Sequence, residues 1–206
     1  ESGRIVALCH KLAREMAQPG ITTKEIDREI DALIRREGGI PSFLDYHGFP
    51  ASICASVNDQ VVHGIPGNLK LREGDILSMD VGVEKEHFHG DAAITIPIGE
   101  VSEEVLKLID VTRQALMAGI EQAVPGNYLS DIVRAIEAVG TEHGYGIVRE
   151  YVGHGIGKAL HEEPQVPNYL GPNFDDMPLR PGLVLALEPM FNLGTEKVKT
   201  LSDKWT

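Results

Sequence analysis

Two stretches of this chain carry an apolar run into a carboxylate. "LREGDILSMD" spans 71–80 and "LRPGLVLALE" spans 179–188. Each reads Leu-Arg-x-Gly, then a strand, then an acid six residues after the glycine: Asp80 in one, Glu188 in the other. An unpaired carboxylate beside an apolar strand costs several kcal/mol, so each must meet a compensating group. Asp91 follows Asp80 in a hairpin return. A turn centred on Lys85-Glu86 would set residue 91 opposite residue 80, with Cβ atoms about 4.5–5.5 Å apart. Carboxylates that close repel unless a proton or cation lies between them. Three acids converging on the strands of one sheet make a hard-cation site. The competing reading, edge-exposed acids without function, fits poorly with the apolar runs that Asp80 and Glu188 end.

Imidazoles supply further donors. Of eight histidines, His10 and His143 fall on helix surfaces and read as solvated, and His87 and His89 read as local structural groups in the hairpin return. The remaining four sit in "YHGFP" (His47), "VVHGIP" (His63), "VGHGIG" (His154) and "ALHEEP" (His161). Glycine on both sides of His154 lets backbone or ligand approach closely, and an imidazole there can reach a metal. "GHGIG" is a poor phosphate loop, lacking the Lys-Ser/Thr of a nucleotide site. Cys9 and Cys54 have no metal-ligand or disulfide spacing and read as small buried apolar residues, the pattern of a reducing cytoplasm.

The elements that position these groups are written twice. Ile5, Leu8, Leu12 and Met16 have helical spacing and stop at Pro19-Gly20. Thr22-Thr23-Lys24-Glu25 has capping-box form and opens a helix bearing Ile26, Ile30, Leu33 and Ile34, which Gly38-Gly39 ends. Ser102 can cap a third helix with Val105, Leu108, Ile109, Thr112, Leu116 and Ile120 on one face. A fourth carries Ile132, Ile136 and Val139 up to Gly144. In a register of 106 residues Pro19-Gly20 falls on Pro125-Gly126, Ile26 on Ile132, Arg28 on Arg134 and Gly38 on Gly144. The two acid-bearing strands repeat at 108. That period is too long for a solenoid. It fits one domain over 1–206 made of half-repeats, about 1–100 and 101–206, each a helix pair followed by strands. Helix pairs alternating with hairpins predict an α+β architecture with helices on an antiparallel sheet, the halves related by an approximate two-fold axis.

Bulk properties narrow the partners. The 206 residues are 42% hydrophobic, enough for a sizeable core, and a formal net charge of -12 argues against nucleic acid or an anionic membrane surface. No apolar run approaches the ~18 residues of a membrane span, and no signal-peptide pattern opens the chain.

"VNDQVVHGIP", "MDVGV…HFHGDAAIT", "EYVGHGIGKALHEEPQVPNY" and "LEPM", in this order and over essentially the whole chain, resemble the type I methionine aminopeptidases of the pita-bread metallopeptidase fold. The resemblance implies two divalent ions (Co, Mn, Fe, Zn or Ni) on Asp80, Asp91, His154 and Glu188, with Asp91 bridging. His63 would lie near the peptide amide being cut, and His161 would hydrogen-bond the scissile carbonyl. Glu188 would serve as general base as well as ligand. Phe43, Tyr46, Phe49, Cys54, Leu160 and Trp205 would line a closed methionine pocket, Leu160 standing where this family often has Phe. The family's fifth ligand, a bridging glutamate on a last strand, is expected beyond Thr206, and its opening segment before Glu1, so the chain reads as truncated at both ends. The activity implied is hydrolytic removal of the N-terminal methionine of nascent polypeptides by a cytoplasmic monomer, with the ribosome a candidate partner. The rival readings are an X-Pro aminopeptidase or prolidase, and a non-catalytic binding module of the same fold.

Overall fold

The first helix, α1 (Ser2–Met16), buries Ile5, Val6, Cys9 and Ala13 at three- and four-residue spacing. After it the backbone turns through Gly20 at φ +97°. The capping box then starts α2 (Thr23–Arg36): the Thr22 hydroxyl accepts from the Glu25 N–H at 3.2 Å, and the Glu25 carboxylate accepts from the Thr22 N–H at 2.9 Å. Both helices pack on a four-stranded antiparallel sheet. Its long central strand β3 (Ile76–Lys85) pairs with β1 (Ile40–Pro41), β2 (Cys54–Val57) and β4 (Phe88–Pro97).

Alternation along β3 answers where the charge of Asp80 goes. Leu77, Met79, Val81 and Val83 are fully buried in one core with Ile5, Cys9, Ile26, Ile30 and Ile34. Each such side chain contributes about 1.5–3 kcal/mol. Ser78, Asp80 and Gly82 point to the opposite face. The strand runs on past Asp80 to Lys85, two residues beyond the stretch 76–83 that the sequence predicts as strand.

The hairpin register also differs from the sequence expectation. Asp80 lies opposite Ala93, and Asp91 opposite Gly82. The turn centres on Glu86 and His87, both left-handed at φ 55° and 66°, instead of Lys85-Glu86. Two central residues with positive φ form the turn that matches the twist of a two-residue hairpin, and no glycine marks it here.

The structure, a computed structural model, describes residues 1–205, which group into two compact units. The unit above comprises Glu1–Ser102, Gly157–Leu160 and the stretch from Thr200 onward; the other comprises Glu103–Ile156 and His161–Lys199. In the latter, α3 (Glu103–Gln122) packs on α4 (Leu129–Glu142). The buried stripe of α3 is Val111, Ala115 and Gly119, while Ile120, expected on the apolar face, is 46% exposed. Small residues decide this contact. A Cβ on Gly119 would stand 3.0 Å from the Ile136 side chain, so the helices meet where α3 is thinnest.

Short strands complete this unit. β5 (Gly146–Ile147) pairs with β9 (Phe191–Asn192), and β6 (Gly153–Gly155) lies between β7 (Glu162–Val166) and β8 (Leu185–Ala186). Of the expected strand leading to Glu188, only Leu185 and Ala186 enter a ladder. Positions one register apart share backbone conformation: φ is +97° and +101° at Gly20 and Gly126, and +89° and +95° at Gly74 and Gly182. Among the described residues no helix is long and apolar enough to cross a membrane.

Candidate metal centre

In the first unit, strand alternation collects the acids. Ala93 sits opposite Asp80, and Asp91 lies two residues away on the same strand, so both carboxylates share one face as diagonal neighbours. Cys54 of β2 pairs with Asp80 and joins that face, as do Ser78 and Thr95, whose hydroxyls meet at 2.9 Å. This is the polar side of a sheet whose other side is core. Both acids are half-buried and both have interaction partners.

His63 follows β2 in a loop, with left-handed φ of 58°. Burial pulls its pKa below the ordinary imidazole value, and the charge of Asp91 pulls the other way. The Trp205 ring stands edge-on to it at 6.2 Å and edge-on to Phe49 at 5.1 Å, so this aromatic joins two residues far apart in sequence. Phe43, Phe49, Cys54 and Leu160 are buried, while Tyr46 is half-buried against His47 at 4.4 Å. His47 is exposed and meets the Tyr46 ring edge-on.

In the second unit, β6 presents His154, which is 5% exposed. Its flanking glycines are required by neighbouring backbone. A Cβ on Gly153 would run into the Ala186 carbonyl of β8, and one on Gly155 into the Glu163 carbonyl of β7. The β6–β7 register shifts between His154 and Gly155, the kind of irregularity that re-aims a side chain. Glu188 lies two residues past Ala186, which itself sits opposite His154. Its Oε1 is 3.2 Å from His154 Nε2. His161 lies beside the same imidazole, ring centroids 4.1 Å apart, and is exposed.

The tautomer of His154 follows from its partner. Nδ1 is 2.8 Å from the Gly155 carbonyl oxygen, which can only accept, so Nδ1 carries a proton. In the neutral ring Nε2 then presents a lone pair toward the side where Glu188 lies. A ligating histidine typically donates its other N–H to a carbonyl or carboxylate in this way, so the residues present fit a divalent ion. Carboxylate oxygens with one imidazole suit Mn, Fe, Co, Ni or Zn. Among the described residues no group of three or more His, Cys, Asp or Glu is assembled to hold a metal. What each unit brings together is a pair, Asp80 with Asp91 and His154 with Glu188.

Sequence reasoning missed Asn168. It is 1% exposed, its Nδ2 donates to the main-chain carbonyl of Glu188 at 2.7 Å, and its Oδ1 has no partner among the described residues. A buried acceptor left so costs about 1–3 kcal/mol. Nothing periodic marks an asparagine in "VPNY" as special.

Other expectations changed. His10, read as solvated, is half-buried and donates to the Ala92 carbonyl of β4 at 2.9 Å. His143 donates to the Val139 carbonyl at 3.0 Å and stacks on Tyr145. His89 is held by the Ser42 hydroxyl at 2.9 Å, a local role as expected. An open depression of about 770 Å³ beside α2, lined by Asp27, Asp31, Arg35, Ser52 and others, contains none of these site residues.

Residues 1–202 match metallopeptidase family M24. The methionine aminopeptidase 1 of Bacillus subtilis is 49% identical over 206 residues, covering 100% of this chain and 83% of that protein. The crystal structure of methionine aminopeptidase from Rickettsia prowazekii superposes with a TM-score of 0.95 at 36% identity, covering 99% of this chain and 82% of that one. A prolidase from Pyrococcus furiosus, at 22% identity and a TM-score of 0.81, shares the fold, covering 95% of this chain and 55% of its own. The chain belongs to the M24 metallopeptidases and, within them, to the methionine aminopeptidase family, with its α+β pita-bread fold.

Proposed function

We propose that this protein removes the N-terminal methionine from nascent proteins and peptides by metal-dependent hydrolysis of the first peptide bond. The observation that carries the reading is His154: an N–H given to the Gly155 carbonyl and an Nε2 turned to Glu188 at 3.2 Å, the arrangement of a metal-ligand imidazole. The names of its relatives support the substrate. Two divalent ions held by Asp80, Asp91, His154 and Glu188, with Asp91 shared, complete the proposal, in one domain built of half-repeats about 1–100 and 101–206.

The metal supplies Lewis acidity that moves a water pKa from ~15.7 toward ~7. Glu188 takes a proton from the attacking water and passes it to the departing amine. His161 hydrogen-bonds the scissile carbonyl, and one well-placed donor to a developing oxyanion contributes about 2.7–4 kcal/mol. His63 steadies the amide of the second residue. With its pKa lowered by burial, it is neutral at pH 7 and can donate from one nitrogen and accept at the other. Phe43, Tyr46, Phe49, Cys54, Leu160 and Trp205 enclose the methionine side chain in apolar surface. The reading carries with it a cytoplasmic monomer that meets its substrates at or near the ribosome.

The test is release of methionine from Met-Ala-Ser by the protein supplied with Mn, Co, Fe, Zn or Ni, against X-Pro dipeptides. Methionine release that chelator abolishes, with Asp91→Ala and His63→Ala both inactive, is expected. Full turnover by Asp91→Ala defeats the reading, and cleavage of X-Pro in place of Met-Ala-Ser replaces it with a prolidase.

A further inference from the structure

Glu188 is asked to face a cation while its backbone lies outside the sheet. The β6–β8 ladder pairs Gly155 with Leu185 and His154 with Ala186, and then stops. Two residues later the Glu188 main chain receives a hydrogen bond from the other side of β6. Val166, the last residue of β7, pairs with Gly153 and is 1% exposed. The chain leaves it through Pro167 to Asn168, whose Nδ2 donates to the Glu188 carbonyl at 2.7 Å. Glu137 of α4 accepts from the Leu170 N–H at 3.1 Å and pins the far end of the same loop.

We propose that Asn168 is a positioning residue for Glu188: past the end of the β6–β8 ladder, its amide holds the Glu188 main chain so that the carboxylate meets His154 and the metal. The inference rests on the metallopeptidase reading above. The single-ended use of the amide supports it. Asn168 is 1% exposed, yet only its donor half is satisfied, while Oδ1 has no partner among the described residues. Packing alone would be served at least as well by leucine, whose side chain brings no acceptor of its own to leave unpaired. The donor is what the position needs, and the idle oxygen comes with it.

Three variants separate positioning from packing. Asn168→Asp keeps the shape but cannot donate when ionised; Asn168→Leu removes donor and acceptor together; Glu137→Ala loosens the loop without touching Glu188. Affinity for Mn and Co is measured by calorimetry, the metal-free melting midpoint by circular dichroism, and kcat and KM on Met-Ala-Ser. Outer partners of metal ligands typically change affinity ~10–100-fold, and a loss in that range is expected for both Asn168 variants. Expected with it are a lower kcat at unchanged KM and a metal-free midpoint for Asn168→Leu no lower than wild type. Wild-type metal affinity in Asn168→Leu overturns the proposal. So does an equal loss in Glu137→Ala, or metal-free unfolding of both Asn168 variants, since either assigns the effect to the loop or the core. If the wild-type protein neither binds metal nor releases methionine, the parent reading falls as well, and the two failures are told apart by that control.

Discussion

At the scale of single residues, the charges of this protein are arranged by what each carboxylate can reach. Asp27 on α2 accepts from the Ser52 and Ile53 N–H groups at 2.9 and 3.1 Å through one oxygen. Burial nevertheless holds its pKa above the ordinary value, with the nearby charge of Asp31 adding to the effect and the two hydrogen bonds opposing it. An acid with a raised folded pKa contributes stability that is present below its unfolded pKa, near 3.8, and lost as pH rises through the folded value. Asp27→Asn keeps the accepting oxygen and discards the charge. The urea midpoint of the wild type, relative to Asp27→Asn, is therefore expected to fall between acid pH and pH 7, and a difference that grows with pH contradicts the assignment. Cys9 behaves differently: burial drives its thiol up to about 11, so it stays unreactive toward a thiol reagent at pH 8 until the fold opens. Titrating Cys54→Ser before and after denaturation measures this.

At the scale of elements, two small sheets aim donors by the same device. In each, one donor faces an alanine across the ladder, and the second donor lies two residues from that alanine: Asp80, Ala93 and Asp91 on β3–β4, and His154 and Ala186 on β6–β8 with Glu188 just past the end of β8. Diagonal placement sets the groups near one another without the repulsion of direct pairing. The device depends on close backbone approach around β6. Gly153→Ala would push a methyl group into the Ala186 carbonyl and should cost about 1–3 kcal/mol, with weaker metal binding as β8 shifts away from His154. A chemical-denaturation series with calorimetric metal titration reads both. Wild-type affinity in a destabilised Gly153→Ala protein would show that the spacing of β6 and β8 does not set the centre.

At the scale of the whole molecule, metal binding and folding are linked. Carboxylates gathered on one sheet face repel without a cation, so an ion that binds only the folded chain stabilises it, by about 2.7 kcal/mol at 100 times its dissociation constant. The melting midpoint of the wild type should rise with added Mn and that of Asp91→Ala should rise far less; equal shifts would detach the metal from this site. How much of this was readable beforehand follows from the range of the forces involved. Helix starts and stops were legible because a capping box such as Thr22–Glu25 and a left-handed glycine such as Gly20 act within a few residues. The residue types at 80, 91, 154 and 188, and the family they resemble, were legible for the same reason: chemistry resides in the side chain and motif order is linear. The hairpin register was not, because Glu86 and His87 take left-handed conformations without a glycine to announce them, and a one-residue displacement of the turn shifts every cross-strand partner by two. Nor was the buried stripe of α3, which depends on how near α4 can come to Gly119. Asn168 was invisible too, since its meaning lies in a carbonyl 20 residues away. The sequence by itself determined which donors exist and where the helices end, through local backbone preference. The tertiary structure alone decided which face, which partner and which hydrogen bond each donor received, because those depend on packing between segments distant in the chain.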